Sequence, residues 1–386
     1  AAANCQGAPF EVEVTVNPTP VIPNQTTAIC SEATFMINPT NSPPNTIVPS
    51  GTTYVWTVED NLNVTGETSE SSPQQEISQT LVNNSNIVQT VIYTVIPTSG
   101  ADGLCVGAEF TVTVDVNPQP SIEDITPPAI CSGTDFEVIP VNGGGSNSDD
   151  IVPSDMTYTW TVEDLSGQIS GDSDESAPQD SISQTLINDS NIPQIVTYTV
   201  VPTYDVAAAN CQGAPFEVEV TVNPEPTMDA VDAQSICGGT AFDSPDYVSD
   251  VSGVSYAWEL TSTTIPTDIT GYPSPSGAGE LSGVTIQNGG DNPFTLVYDL
   301  TVFYEGCEGN TVPFSITINP SPVVNITPAV SQSICIDGTA NFETLNASYI
   351  YSEPITDISY QWYYNTTDST EIIGAVAVGT NDEEYT

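Results

Sequence analysis

The segment Cys5-Gln-Gly-Ala-Pro-Phe-Glu-Val-Glu-Val-Thr-Val-Asn-Pro18 returns unchanged at Cys211–Pro224, nearly so at Cys105–Pro118, and more loosely at Cys307–Pro320. Its Asn-Pro steps begin at Asn17, Asn117, Asn223 and Asn319, giving periods of 100, 106 and 96 residues. Other landmarks keep that beat. An Ile-Cys pair ends at Cys30, Cys131, Cys237 and Cys335, and Tyr-x-Trp falls at Trp56, Trp160, Trp258 and Trp362. Self-similarity at this period means an array of small domains rather than one large core. Cutting after each Asn-Pro-x-Pro gives the last strand of a preceding repeat at 1–20. Three whole repeats follow at 21–120, 121–226 and 227–322, then a truncated one at 323–386. The chain begins and stops mid-repeat, so the sequence reads as a piece of something longer. Ala1–Cys5 has neither the charged nor the apolar region of a secretion leader.

Each repeat reads as strands. Phe10–Val16, Tyr54–Val58 and Val91–Val95 alternate apolar and polar residues with period two. No helical stripe persists for three turns. The 32 prolines and 27 glycines punctuate the chain at the spacing of a β-sandwich. The expected fold class is all-β, tandem Ig-like sandwiches arranged as an extended rod, with proline-stiffened linkers. The Trp of each Tyr-x-Trp is expected to plug a sandwich core.

Composition removes whole classes of function. The chain has 50 Asp or Glu and no Lys, Arg or His, where roughly 45 basic residues would be ordinary for this length. No imidazole is available as a general base, no ammonium for a Schiff base and no guanidinium to clamp a phosphate. A formal charge of −50 repels nucleic acid and anionic lipid, so neither is an expected partner. No run of 18 apolar residues is present to insert in a membrane. No catalytic residue is expected, and the chain is not expected to be an enzyme. Lys–Asn isopeptide bonds are also excluded, which leaves disulfides as the expected covalent brace. Eight cysteines without a histidine look like disulfides rather than zinc sites.

The pattern resembles the PKD-like or Ig-like repeats of giant Bacteroidetes cell-surface adhesins. The residues that carry the likeness are Ile130-Cys-Ser-Gly-Thr-Asp-Phe136, Tyr158-Thr-Trp-Thr-Val162, Ile182-Ser-Gln-Thr-Leu186, Tyr198-Thr-Val-Val-Pro-Thr203 and Cys211-x-Gly through Pro224. Such adhesins are long surface filaments exported by the type IX secretion system, some serving gliding motility. The resemblance implies an extracellular stalk segment whose partners are neighbouring repeats of the same chain. An external surface or polysaccharide would be met through regions outside this sequence. The rival reading is an accessory or carbohydrate-binding array of a larger secreted enzyme. The third repeat lacks the Ile-Ser-Gln-Thr-Leu found at Ile77–Leu81 and Ile182–Leu186, which leaves its fifth strand open.

Two site expectations remain. Asp172, Asp174 and Glu175, in a loop after Gly171, are the candidate calcium ligands, and a solvated acidic face is the competing reading. No other cofactor is expected. For the cysteines, an Ig-like topology puts the Ile-Cys turn and the Cys-x-Gly turn of one repeat at opposite ends of the sandwich. A disulfide needs Cα atoms within about 7 Å. Pairing across the linker gives Cys30–Cys211 and Cys131–Cys307. Cys5, Cys105, Cys237 and Cys335 then look to repeats at or beyond the ends of the sequence. Pairing within repeats, Cys30–Cys105, Cys131–Cys211 and Cys237–Cys307, is the alternative.

Overall fold

The computed structural model describes residues 7–146, 149–206, 209–321, 324–327, 345–349, 361–364, 376–378 and 384–385. Among these residues the elements are all strands, with no helix. The chain forms two compact units, Ala1–Asn223 and Pro224–Thr386.

The first unit holds two sandwiches. The first is built from β1 (Gln25–Cys30), β2 (Thr34–Ile37), β3 (Thr53–Val58), β4 (Val64–Thr65), β5 (Glu70–Gln74), β6 (Ile77–Thr80), β7 (Val82–Asn83), β8 (Gln89–Thr98) and β9 (Phe110–Asn117). Its main sheet runs β1-β9-β8-β3-β5, and the facing layer consists of the pairs β2-β6 and β4-β7. β1 lies parallel to β9, from Gln25 opposite Val112 to Cys30 opposite Asn117. The period-two alternation does the sorting. Val91, Tyr93 and Val95 of β8 and Val112, Val114 and Val116 of β9 are all buried, against Ile77 and Leu81 of the facing layer. Trp56 is buried in that core, and its indole N–H donates to the Thr68 carbonyl at 2.9 Å.

The second sandwich repeats the plan with β10 (Ile130–Cys131), β11 (Thr134–Val138), β12 (Met156–Glu163), β13 (Ile169–Ser170), β14 (Glu175–Gln179), β15 (Ile182–Asn188), β16 (Gln194–Val206), β17 (Ala209–Gln212) and β18 (Phe216–Asn223). Its main sheet is β10-β18-β16-β12-β14, with β17 folded back on β16.

In the second unit, β19 (Gln234–Cys237), β20 (Thr240–Ala241), β21 (Ser255–Leu260), β22 (Ile269–Thr270), β23 (Ser276–Ala278), β24 (Thr285–Asn288), β25 (Phe294–Tyr304) and β26 (Cys307–Asn319) form a third sandwich. Its main sheet runs β19-β26-β25-β21-β23. The strand left open by the sequence is present. β24 pairs with β20 and β22, and its inward Ile286 fills the place held by Leu186 in β15. One apolar residue at the right phase is enough for strand formation there, without the Ile-Ser-Gln-Thr-Leu motif. Beyond residue 323 the described residues include five short strands, from Val324–Thr327 to Glu384–Tyr385.

Residues 7–20 depart from the alternation reading. No strand is assigned there, and Phe10, Val12, Val14 and Val16 are all at least 71% exposed. The same sequence at Phe216–Val222 is β18, with Phe216, Val218, Val220 and Val222 buried. Periodicity becomes a strand only where a neighbouring strand accepts it, as β16 does for β18.

A buried asparagine closes each sandwich at the same place. Asn83 Nδ2 donates to the Ile87 and Val116 carbonyls, each at 2.8 Å, while its Oδ1 accepts from the Ser85 N–H and hydroxyl. Asn188 and Asn288 do the same toward Ile192 and Val222, and toward Asn292 and Ile318. The turn before each Tyr-rich strand is thereby pinned to the last strand.

Candidate functional site

With no basic side chain in the sequence, the chemistry available to this chain lies in its cysteines, carboxylates, hydroxyls and amides. The cysteines define the most developed site, inside the first unit. Cys30, the last residue of β1, forms a disulfide with Cys211 of β17, with Cα atoms 5.5 Å apart and a sequence separation of 181 residues. One sandwich contributes its first strand and the next contributes a hairpin. The pairing within a repeat is not formed. Cys30 sits opposite Asn117 at one end of β9, whereas Cys105 precedes Phe110 at the other. Eight residues of extended strand separate those ends by roughly 25 Å. The alternatives Cys30–Cys105 and Cys131–Cys211 therefore give way to Cys30–Cys211. Cys105 and Cys237 are free thiols, half-buried and exposed respectively, so Cys237–Cys307 is not formed either. Cys131 and Cys307 are each in a disulfide. Cys5 and Cys335 lie outside the described residues.

Bonds within the first sandwich hold Cys30 in place, and further contacts cross the junction beside the disulfide. Asn117 Nδ2 donates to the Ile29 carbonyl at 3.1 Å, and the Ser31 N–H donates to the Asn117 carbonyl at 2.8 Å. Gln119 Nε2 donates to the Gln212 carbonyl at 3.1 Å. Gly213 packs directly on the Pro120 carbonyl, where any Cβ would collide with it. This explains the glycine of Cys-x-Gly and ties it to the second proline of Asn-Pro-x-Pro. The fit recurs wherever both parts are described, with Gly107 on Pro20 and Gly309 on Pro226. Pro20, Pro120 and Pro226 are themselves buried.

The carboxylates divide otherwise. Asp174 accepts from the Val162 N–H at 2.8 Å, and Glu175 from the Ala177 N–H at 2.8 Å, while Asp172 stands beside the Tyr198 phenol. The three calcium candidates thus serve different neighbours, and among the described residues no group of three or more Cys, Asp or Glu is placed to hold a metal ion. Burial pushes the Asp164 carboxyl up. Hydrogen bonds from the Ser166 hydroxyl and from the Ile169 and Ser166 N–H groups outweigh it and hold Asp164 below the ordinary carboxylate value. Asp164 and its neighbours are turn-formers rather than an acid–base pair.

One constellation escaped the sequence reading. Gln79, Thr68 and Tyr93 meet between the two layers of the first sandwich, and Gln184, Ser173 and Tyr198 meet at the same place in the second. The signal was on view in the recurring Gln of Ile-Ser-Gln-Thr-Leu, a half-buried polar residue at the same place in two repeats.

A family model described as PKD-like domain matches residues 27–120, 128–226 and 234–322. No curated protein matches. Among solved structures, the chain is similar to the three N-terminal domains of the bacteriophage RB49 outer capsid protein Hoc, at 16% identity and TM-score 0.33, covering 78% of this chain and 98% of that one. The I-band fragment I67–I69 of titin matches at 12% identity and TM-score 0.31, covering 78% and 96%. Extracellular cadherin domains 1–5 of protocadherin gamma B2 match at 11% identity and TM-score 0.29, covering 93% and 72%.

Proposed function

The chain belongs to the PKD-like domain family, and from that premise we propose that it is a stalk segment of a secreted cell-surface adhesin filament, serving attachment and gliding movement. Tandem PKD-like repeats joined by disulfides are typical of extracellular proteins and fit an adhesion-type array. The observation that carries the reading is the Cys30–Cys211 bond. A chain whose task were only to space a catalytic domain has no need to weld one repeat to the next, whereas a chain under tension gains from it. Charge supports the same reading. Fifty unopposed carboxylates keep neighbouring filaments apart within a Debye length of about 8–10 Å and discourage pairing of exposed strand edges.

The finer reading is likeness to SprB, the flavobacterial gliding-motility adhesin exported by type IX secretion, and it rests on the repeat motifs. In this reading the chain is no enzyme and its partners are the adjoining repeats, with the adhesive contact made elsewhere along the filament. The large aromatic side chains Tyr54, Tyr93, Tyr198 and Tyr298 are fully buried, which lends nothing to a sugar-stacking array. The test is in the source organism. Antibody raised to this segment should label intact, unpermeabilised cells, and deletion of the repeats should abolish attachment to glass and spreading on agar. Normal attachment and spreading after deletion would overturn the proposal.

A further inference from the structure

The Gln79 side-chain amide is fixed at both its oxygen and its nitrogen. Its Oε1 accepts two hydrogen bonds, from the Thr68 N–H at 3.1 Å and the Tyr93 hydroxyl at 2.8 Å. Two donors aimed at one carbonyl oxygen polarise it and would stabilise negative charge on it. Its Nε2 lies 2.7 Å from the Thr68 hydroxyl and 2.7 Å from the Thr68 carbonyl. With a C–N bond of about 1.33 Å, Thr68 Oγ1 is no more than about 4 Å from the amide carbon. The residue before Thr68 is Glu67, whose charge adds to burial in raising the Tyr93 phenol and whose Oε1 accepts from the Asn61 N–H at 3.2 Å. Glu67 Oε2 is buried and has no hydrogen-bond partner. A buried carboxylate oxygen without a donor is costly and calls for an explanation.

The second sandwich repeats the hydroxyl, the amide and the phenol, with Asp172 in the place of Glu67. Gln184 Oε1 accepts from the Ser173 N–H at 3.2 Å and the Tyr198 hydroxyl at 2.9 Å. Its Nε2 lies 2.9 Å from the Ser173 hydroxyl, and Asp172 precedes Ser173 beside Tyr198. Gly66 and Gly171, both at positive φ, press these turns onto the Thr80 and Thr185 carbonyls, where no Cβ fits. The third sandwich keeps the glycine and the tyrosine and loses everything else together. Tyr272 and Pro273 stand where acid and hydroxyl stood, no glutamine faces them, and the Tyr298 hydroxyl donates to the Pro273 carbonyl at 3.0 Å. Acid, hydroxyl and amide behave as one unit. A tyrosine merely seeking a hydrogen bond would require none of them.

We propose that Thr68 with Gln79, and Ser173 with Gln184, form intramolecular ester cross-links by self-catalysed acyl transfer. Glu67 takes the hydroxyl proton as Thr68 Oγ1 attacks the Gln79 amide carbon, and the carbonyl electron pair moves onto Oε1 under its two donors. Glu67 returns the proton to Nε2, the C–N bond breaks, and ammonia leaves. Ester and ammonia together account for every atom of hydroxyl and amide, no electrons are transferred, and Glu67 ends as the carboxylate it began as. Asp172 does the same for Ser173. The result is a covalent brace in a chain with no lysine for isopeptide bonds, tying the turn after β4 to β6 and the turn after β13 to β15.

Intact mass spectrometry of the reduced chain reads the reaction directly, since each bond removes one ammonia, about 17 Da. The expected result is a deficit of about 34 Da, with one half restored by Thr68→Val and the other by Ser173→Ala. Cleavage at Glu70 and Glu76, which lie between Thr68 and Gln79, should leave two peptides joined until hydroxylamine parts them. The third repeat serves as the internal control. A wild-type chain at full mass after prolonged incubation at pH 7–8 would overturn the proposal, as would a deficit mapping elsewhere. A one-dalton gain at Gln79 in place of the loss, the mark of water attacking instead of Thr68, would overturn it too.

Discussion

The side-chain amide of Asn117 donates to the carbonyl of Ile29 at 3.1 Å, so the residue that ends the last strand of one sandwich grips the residue before Cys30. The cysteine is therefore presented to the next repeat by its own sandwich before any covalent bond forms. Asn319 makes the equivalent donation to Ile236, at 3.2 Å, beside the free thiol of Cys237. Ile-Cys and Asn-Pro, which look unrelated in the sequence, are the two faces of one clamp.

Cys30→Ser should lower the stability of the first unit by about 2–4 kcal/mol, the usual worth of a native disulfide. Calorimetry should show the two sandwiches of that unit melting apart where they had melted together. Identical, coincident melting in oxidised and mutant chains would show that the buried prolines alone couple them.

By sequence equivalence, Cys131 and Cys307 are the counterparts of Cys30 and Cys211 one repeat further on, and we propose that they are partners. Digestion under non-reducing conditions with an acid-residue-specific protease should yield two peptides joined by a disulfide, one carrying Cys131 and the other Cys307. Recovery of Cys131 linked to any other cysteine would end the proposal that every junction is stapled alike.

Asn83→Ala should destabilise the first sandwich by about 2–4 kcal/mol, because it strands the buried Val116 carbonyl and frees the turn at Ile87. Asn288→Ala should cost the third sandwich about as much, through Ile318 and Asn292. Asn84→Ala, one residue away, should leave the melt within about half a kcal/mol of wild type.

Alkaline pH should unfold the sandwiches. Burial pushes Tyr158 up to about 12 and Tyr54 up as well. Burial, with the Glu67 carboxylate adding to it at Tyr93 and Asp172 at Tyr198, pushes those two well up. Between pH 10 and 12 the unfolded chain loses phenolic protons that the folded chain keeps. Stability is accordingly full below pH 10 and falls as pH rises through that window. Tyrosinate absorbance and the loss of β-sheet circular dichroism should rise together. Titration of all tyrosines near pH 10 with the fold intact would contradict the burial.

Calcium at Asp172, Asp174 and Glu175 is open to a simple measurement. Asp174 and Glu175 already accept backbone N–H groups, so chains in EDTA and in millimolar calcium are expected to melt at the same temperature. A rise of several degrees in calcium would assign these carboxylates to the ion.

Repeats, strands and inward Trp56 were legible because each depends on a short period that the sequence displays. The cysteine pairing was legible only through topology, since Cys30 and Cys105 belong to one repeat but to opposite ends of β9. Phe10–Val16 misled because alternation encodes a face and says nothing of a neighbour to pair with. Asn83, and the partners of the recurring Gln79, were not legible for another reason. Each acts on groups that belong to other elements, Asn83 on the Val116 carbonyl and Gln79 on Thr68 and Tyr93, and no local pattern announces such a partner.

The Cys30–Cys211 bond also sets the covalent route that a pull on the chain must follow. Force arriving at β1 crosses the sulfur bridge to β17 and continues along β18, so the intervening stretch, a separation of 181 residues, hangs as a slack bypass. Apart from Ile22 and the four inward residues of β18, both sandwich cores of the first unit lie within that bypass, sheltered from unravelling while the bridge holds. Reduction would add the stretch back to the load path, roughly 600 Å of extended backbone. The cysteine pair thus works as a redox-set fuse on how far the tether can pay out.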